Sequence, residues 1–209
     1  MKILDAAQQV YAEHGFRGAT TRRIAEMAGV NEVTLFRIFG SKETLLDQAV
    51  RPNARRREVS VLTGEPVDPE AELTAWVGAQ LDFLHGRRAL ICRTMSESAE
   101  RPQLLQCIRE GPECARRELK TYLTALIKRR WIDVTTDIDT GIAMLMGAIF
   151  SDAMGREMMP ENFPRPVANA PCSYTRFFLR ALGLRPQPAK KNPPAKRLAA
   201  PNGRRPRTR

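Results

Sequence analysis

The sequence predicts an all-α protein, and three observations carry that expectation. Between chain breakers, apolar residues recur at three- and four-residue spacing, with no strong alternation of apolar and polar positions. Glycine and proline gather at a few places instead of punctuating the chain at strand-length intervals. The longest apolar run, around Ile142 to Phe150, is far too short to span a bilayer and reads as a buried helix. At 209 residues the chain is long enough to bury a substantial core in one domain or two small ones.

The first helix is expected from about Lys2 to His14, with Ile3, Ala7, Val10 and Tyr11 on its inner face. Gly15 closes it and Phe16 folds back on the turn. His14 reads as a residue of the cap region. Thr20 or Thr21 caps a second helix, because a threonine oxygen satisfies one of the free backbone N–H groups at a helix start. Ile24, Ala25 and Ala28 form its narrow apolar seam. Gly29 stands where a positive φ ends a helix at little cost. Val30 and Asn31 connect to a third helix starting near Glu32, which offers Leu35 and Ile38 or Phe39 to the seam. Small residues facing each other across a short glycine-containing turn fit a helix-turn-helix.

The outer face of the third helix separates two readings. Val33, Thr34, Phe36 and Arg37 cannot all reach the seam. They form either an ordinary solvated face or a surface for the major groove, where arginine bridges a guanine edge and Val or Thr methyls touch thymine. Thr21, Arg22, Thr34 and Lys42 lie near helix starts, where hydroxyls, cations and free N–H groups hold phosphates.

Residues 1–50 resemble the N-terminal domain of the TetR family of transcriptional regulators. The resemblance is carried by ILDAAQQVYAEHGFRGATTRRIAEMAGVNEVTLFRIFGSKETLL, Ile3 through Leu46. Its most specific blocks are AEHGF (Ala12 to Phe16), the TT-x-x-IA start (Thr20 to Ala25), AGV (Ala28 to Val30), TLF (Thr34 to Phe36) and F-x-SKE-x-LL (Phe39 to Leu46). It implies a homodimer with two DNA-reading heads and a larger helical domain that binds a small-molecule effector and releases a double-stranded DNA operator. Carried across by position, Thr21, Thr34, Phe36 and Lys42 contact phosphates, and Arg22, Glu32, Val33 and Arg37 read bases. The family commonly has tyrosine where Phe36 stands, so a phenolic phosphate bond worth about 0.5–1.5 kcal/mol is missing.

Ser41 caps a fourth helix, Glu43 suits its positive end, and Leu45, Leu46, Ala49 and Val50 pack inward. Pro52 should break or kink this helix near residues 48–52, since an interior proline costs about 3 kcal/mol; the break is a candidate hinge, and Arg55, Arg56 and Arg57 follow it. The loop Leu62 to Pro69 divides a head, residues 1–50, from a helical effector-binding and dimerisation domain, residues 51–183. A helix from Asp68 or Pro69 to Leu84 or His85 puts Leu73, Trp76, Val77, Gln80, Leu81 and Leu84 on one face, and Gly86 ends it. Further helices are expected over about Arg87 to Ala99 and Gln103 to Arg109. Gly111-Pro112 is expected to interrupt before a long helix reaching Arg130. The segment Asp137 to Met158 is apolar nearly all round, which calls for cover on several sides. A last helix runs from Cys172 to Leu182. By the family pattern, the last two helices pair with a second subunit, and Leu145, Ile149, Phe150, Phe177 and Phe178 are the interface candidates. Trp76, Phe83, Met95, Tyr122 and Met144 are the candidate pocket lining, with plain core as the competing role for each.

The net charge is +11, but nine Lys or Arg lie from Leu184 onward with no acid, which leaves +2 for residues 1–183. That segment, 184–209, also holds six prolines and is expected to be a disordered basic tail, either solubilising or adding non-specific DNA affinity. The head is balanced, with six basic and six acidic residues over 1–50, so its cations must be segregated by position. Cys92, Cys107, Cys114 and Cys172 form no CxxC pair and are expected as free thiols in a reducing cytoplasm. The start carries no leader pattern. With His14 and His85 as its only histidines, no nucleophile elbow, no phosphate-cradling glycine loop and no metal-ligand spacing, the chain presents no constellation for an enzyme, cofactor or metal. The tail lacks the large apolar residues a membrane-inserting segment needs. The reading is a cytoplasmic, dimeric, sequence-specific DNA-binding regulator, a repressor with a small apolar or amphipathic effector. The alternative is an effector-free DNA organiser whose second domain only dimerises.

Overall fold

The computed structural model describes residues 2–51, 62 and 64–184, with the side chains at positions 105, 107 and 108 excepted. Pro52, Arg55, Arg56, Arg57, the Cys107 side chain and the basic tail from residue 185 lie outside the described residues. Within them are nine α-helices and no strand.

The head comprises α1 (Lys2–Gly18), α2 (Thr21–Ala28), α3 (Glu32–Phe39) and α4 (Lys42–Val50). Local chemistry sets most of its boundaries. Thr20 accepts from the Arg23 N–H, Asn31 from Val33 and Ser41 from Thr44, so each of α2, α3 and α4 starts on a side-chain cap. Gly29, at φ 67°, ends α2, and the Val30 N–H returns to the Ala25 carbonyl. α1 extends past the expected end at His14. The chain kinks at Gly15 (φ 65°, ψ −176°) and resumes one short helical turn to Gly18. Ala7, Val10, Tyr11, Ile24, Ala25, Leu35, Leu45, Leu46 and Ala49 close the head core. Phe39 packs against it, whereas Ile38 is exposed.

The body comprises α5 (Pro69–His85), α6 (Arg88–Glu97), α7 (Leu104–Lys128), α8 (Ile138–Gly155) and α9 (Ala170–Ala181), with two 3-10 turns, Pro160–Asn162 and Val167–Asn169, before α9. Asp68 caps α5, with Pro69 in its first turn, and Asp137 caps α8. The expected interruption at Gly111-Pro112 does not occur: α7 runs through it as one helix. A proline there forfeits one backbone bond, but Ala115, Leu119, Tyr122, Leu123 and Leu126 bury a continuous stripe beyond it. Each large apolar side chain so buried contributes about 1.5–3 kcal/mol, enough to outweigh the local penalty.

The body core joins Leu73, Trp76, Val77 and Leu81 of α5 to that stripe, to Ile142, Leu145 and Ile149 of α8, and to Phe178 and Leu179 of α9. The far end of α8 is tied by a polar cluster. Buried Asp152 takes the Arg156 guanidinium through both oxygens and accepts from the Tyr174 hydroxyl at 2.9 Å.

Three of the five interface candidates are corrected by this packing. Leu145, Ile149 and Phe178 are 4%, 2% and 5% exposed, so they belong to the core of their own chain and offer almost no surface to a second subunit. At about 100° per residue, facing α5 with positions 142, 145 and 149 turns 143, 144 and 147 outward. Phe177, beside Phe178, is 72% exposed, and Phe150 is partly exposed.

Candidate nucleic-acid interface and effector cavity

The α2–turn–α3 unit fixes what α3 shows to solvent. Leu35 is the residue of α3 that is fully buried, which leaves Val33, Phe36, Arg37 and Ile38 on the outer side and Thr34 half-buried. Val33 is the most open of these, at 72%. Two candidate base readers are already engaged. The Thr21 hydroxyl donates to Glu32, linking the start of α2 to the start of α3. Arg22 Nε donates to Glu26 Oε1 at 2.9 Å one turn along α2, and this hydrogen bond raises the Arg22 pKa. Both side chains of that pair are exposed, so water competes for each of them.

Lys42 stands at the start of α4 with its ammonium 4.5 Å from the centre of the Phe16 ring. The Arg101 guanidinium lies 3.5 Å from the same ring. Phe16, a family-pattern residue with no assigned task, therefore seats one cation from the head and one from the body. Arg23 is a further exposed cation, donating to the Gly18 carbonyl at 3.1 Å.

The head does not stand apart from the body. Leu90 of α6 is buried in the head core. Glu97 of α6 accepts from the Tyr11 hydroxyl at 2.9 Å and from the Phe16 N–H at 3.1 Å. Burial first, then the bond to Glu97, pushes the Tyr11 phenol up to about 12. Gln8 of α1 is a second junction: its amide nitrogen donates to the Ala49 carbonyl of α4 at 2.5 Å, and its amide oxygen accepts from Arg87 at 3.4 Å. Neither Glu97 nor Gln8 carries a sequence signal of its own, because their partners lie far along the chain.

Beside this junction the body holds a cavity of about 400 Å³, bounded by α5, α6, α7 and α8 and reached by Val50 at the end of α4. Of the candidate lining residues, Trp76, Phe83 and Met95 lie on its wall, joined by Leu90, Ile149 and Phe150. Tyr122 and Met144 do not. Tyr122 is buried between α5 and α7, where its hydroxyl donates to Glu72 at 2.5 Å; burial above all raises its pKa. Met144 is on the outward side of α8, 65% exposed. Among the described lining residues the wall is apolar apart from Gln80, Thr94 and Arg87, and the Thr94 hydroxyl donates to the Leu90 carbonyl at 2.8 Å. Burial lowers the pKa of Arg87, and Asp5 partly offsets this.

A family model for bacterial regulatory proteins, tetR family, matches residues 3–49, which are α1 through nearly all of α4. The head is a TetR-family domain. The chain is 30% identical over 125 residues to the HTH-type transcriptional regulator YvkB of Bacillus subtilis, covering 60% of this chain and 66% of that one. It is 35% identical over 90 residues to the HTH-type transcriptional repressor AcnR of Corynebacterium glutamicum, covering 39% and 47%. The match thus spans between about half and two thirds of these curated relatives. The likeness in fold extends further than the sequence match. The crystal structure of the transcriptional regulator FadR from Bacillus subtilis, solved in complex with stearoyl-CoA, superposes with a TM-score of 0.61 at 22% identity, over 87% of this chain and 96% of that one.

Among the described residues no group of three or more His, Cys, Asp or Glu is placed to hold a metal ion, and no helix is long and apolar enough to cross a membrane. Cys92, Cys114 and Cys172 are free thiols.

Proposed function

We propose that the protein is a homodimeric, cytoplasmic, sequence-specific DNA-binding regulator that represses transcription from a palindromic operator and leaves it when a small apolar or amphipathic effector binds. Residues 1–50 are the reading head and residues 51–183 the effector-binding and dimerisation part. The observation that carries this reading is the outward face of α3, where Val33, Phe36 and Arg37 stand free of the core while Leu35 anchors the helix. Arg37 and Val33 read base edges, and Thr34 and Lys42 hold phosphates. Arg22 and Glu32 join the base contacts by exchanging their present partners, Glu26 and Thr21, for DNA. Two such heads related by a two-fold axis read half-sites about 34–36 Å apart.

Support for an effector is the apolar cavity that reaches Val50 of α4, the last helix of the head. That AcnR is a repressor and that FadR was solved with stearoyl-CoA fits the same scheme. Fluorescence anisotropy with the DNA upstream of the protein's own gene tests the reading, using full-length protein and a form truncated after Leu184. Nanomolar binding that random duplex cannot compete away is expected. Equal affinity for both duplexes would remove the sequence-specific role. A thermal-shift screen of mixed metabolites then separates a regulated repressor from a DNA organiser: a ligand that raises the melting temperature and displaces DNA is expected, and none doing so favours the organiser.

A further inference from the structure

Among the described residues lining the cavity, Arg87 is the single ionisable one. It opens α6, at the edge where body meets head, and its guanidinium is 4.9 Å from the centre of the Phe83 ring, another lining residue. A guanidinium stays charged in any protein setting, so an otherwise apolar chamber carries one fixed positive charge at one end. Its described hydrogen bond is the long, 3.4 Å contact to the neutral amide oxygen of Gln8. Asp5 also acts on this charge, but a neutral acceptor at that distance is a weak hydrogen-bond partner for a partly dehydrated cation. A carboxylate binds a guanidinium through shorter, charge-assisted and often paired bonds, roughly twice as strong as neutral ones. The cavity volume of about 400 Å³ lies within the range of small-ligand sites.

We infer that the effector is an acid-terminated apolar chain, its tail among Trp76, Met95 and Phe150 and its anionic head on Arg87, and that the head draws Arg87 away from Gln8. The inference rests on the effector-binding reading above and adds the ligand class, the residue that selects it and the contact it breaks. Gln8 also holds the Ala49 carbonyl in the last turn of α4, and the next residue, Val50, lines the cavity. Loss of the Arg87 contact therefore loosens the α6–α1 junction at its Gln8 end, beside the attachment of α1 to α4, while Glu97 still holds Tyr11 and Phe16 at the other end. A neutral ligand of the same shape fills the chamber and leaves that contact intact.

The test compares dodecanoate with dodecan-1-ol, both below the concentrations at which they aggregate. Calorimetry reads binding, and anisotropy of bound operator reads release. Wild-type full-length protein is expected to bind the acid about tenfold or more tighter than the alcohol, the difference one charged hydrogen bond makes. Arg87→Gln should remove the preference and Arg87→Lys retain part of it, with thermal unfolding confirming that both variants fold. Gln8→Ala should still bind the acid but release DNA to a smaller extent on doing so. Equal binding of acid and alcohol by the wild type overturns the ligand class while leaving an effector cavity in place. Acid binding that depends on Arg87 but leaves DNA affinity unchanged upholds the ligand class and sinks the release reading instead. Undiminished release in Gln8→Ala overturns the Gln8 contact as the link.

Discussion

Tyr11 of α1 donates its phenolic hydrogen to Glu97 Oε2 of α6 at 2.9 Å, across 86 positions of sequence. The same carboxylate takes the Phe16 N–H through its other oxygen, so one side chain of the body holds both sides of the kink at Gly15. Tyr11→Phe removes a hydrogen bond to a charged acceptor inside the protein, and should lower stability by about 1.5–3 kcal/mol. Urea unfolding of the two proteins checks this; a change below about 0.5 kcal/mol would show that the contact contributes little.

Gly15→Ala should be damaging for two separate reasons. At φ 65° and ψ −176° the backbone is in a region essentially restricted to glycine, which costs an L-residue about 1–3 kcal/mol, and the added methyl carbon would lie 2.4 Å from Glu97 Oε1. The melting temperature is expected to fall by more than for Gly29→Ala, where φ is 67° but no atom lies within 4 Å of the new carbon.

All three tyrosines, Tyr11, Tyr122 and Tyr174, are raised above the ordinary phenol value, in each case by burial first and then by a hydrogen bond to a carboxylate. A raised folded value means that the unfolded chain loses its phenolic protons first as pH rises. Above about pH 10 the unfolded state therefore binds fewer protons, and stability must fall with pH. For Tyr11 the loss runs from about 10 up to about 12. Unfolding midpoints from pH 8 to 11 should be level at first and then drop, and the drop should be shallower in Tyr11→Phe. A midpoint that rises above pH 10 would contradict the burial of these rings.

The roles assigned to Arg37 and Lys42 differ in kind. Arg37→Ala is expected to weaken specific operator by about 1–3 kcal/mol while leaving random duplex nearly unchanged. Lys42→Ala should weaken both alike and reduce the salt dependence by about one phosphate contact. Its ammonium rests near the Phe16 ring, so a thermal-melting control is needed to separate lost packing from lost charge. Equal losses on both duplexes for both variants would remove the division of labour.

For self-association the outward side of α8 and α9 is the surface to disturb. Phe177→Arg should weaken dimerisation by about 2 kcal/mol or more if Phe177 is a buried anchor of the pair, with the isolated chain's fold retained because the ring makes no part of the core. Sedimentation velocity over a concentration series reads the shift. An unchanged distribution would place the contact elsewhere.

What was legible in advance depended on range along the chain. The caps at Thr20, Ser41 and Asp68 and the stop at Gly29 are settled within four residues of themselves, so residue type and spacing suffice, whereas Asn31, read as part of the connection, proved to be the cap of α3. The outward set Val33, Phe36 and Arg37 follows from helical periodicity once Leu35 is assigned inward. Pro112 was misleading because propensity counts the lost backbone bond and not the apolar stripe that α7 buries past it. The candidates on α8 and α9 went both ways for a related reason: a helix apolar nearly all round does not say which side meets its own chain. Tertiary packing chose positions 142, 145 and 149 for the interior and turned Met144 out.

The amino-acid sequence by itself determined eight of the nine described helices to within a few residues, α7 being expected as two, and the helix-turn-helix head with its family resemblance. These rest on caps, turns and periodicity, whose free energies act between near neighbours. Only the tertiary structure decided that Glu97 and Gln8 join head to body, that Arg87 is the charge in an apolar chamber, and which aromatic rings line it. Those facts depend on side chains some 80 positions apart meeting at a helix crossing, and nothing local in the chain records where helices cross.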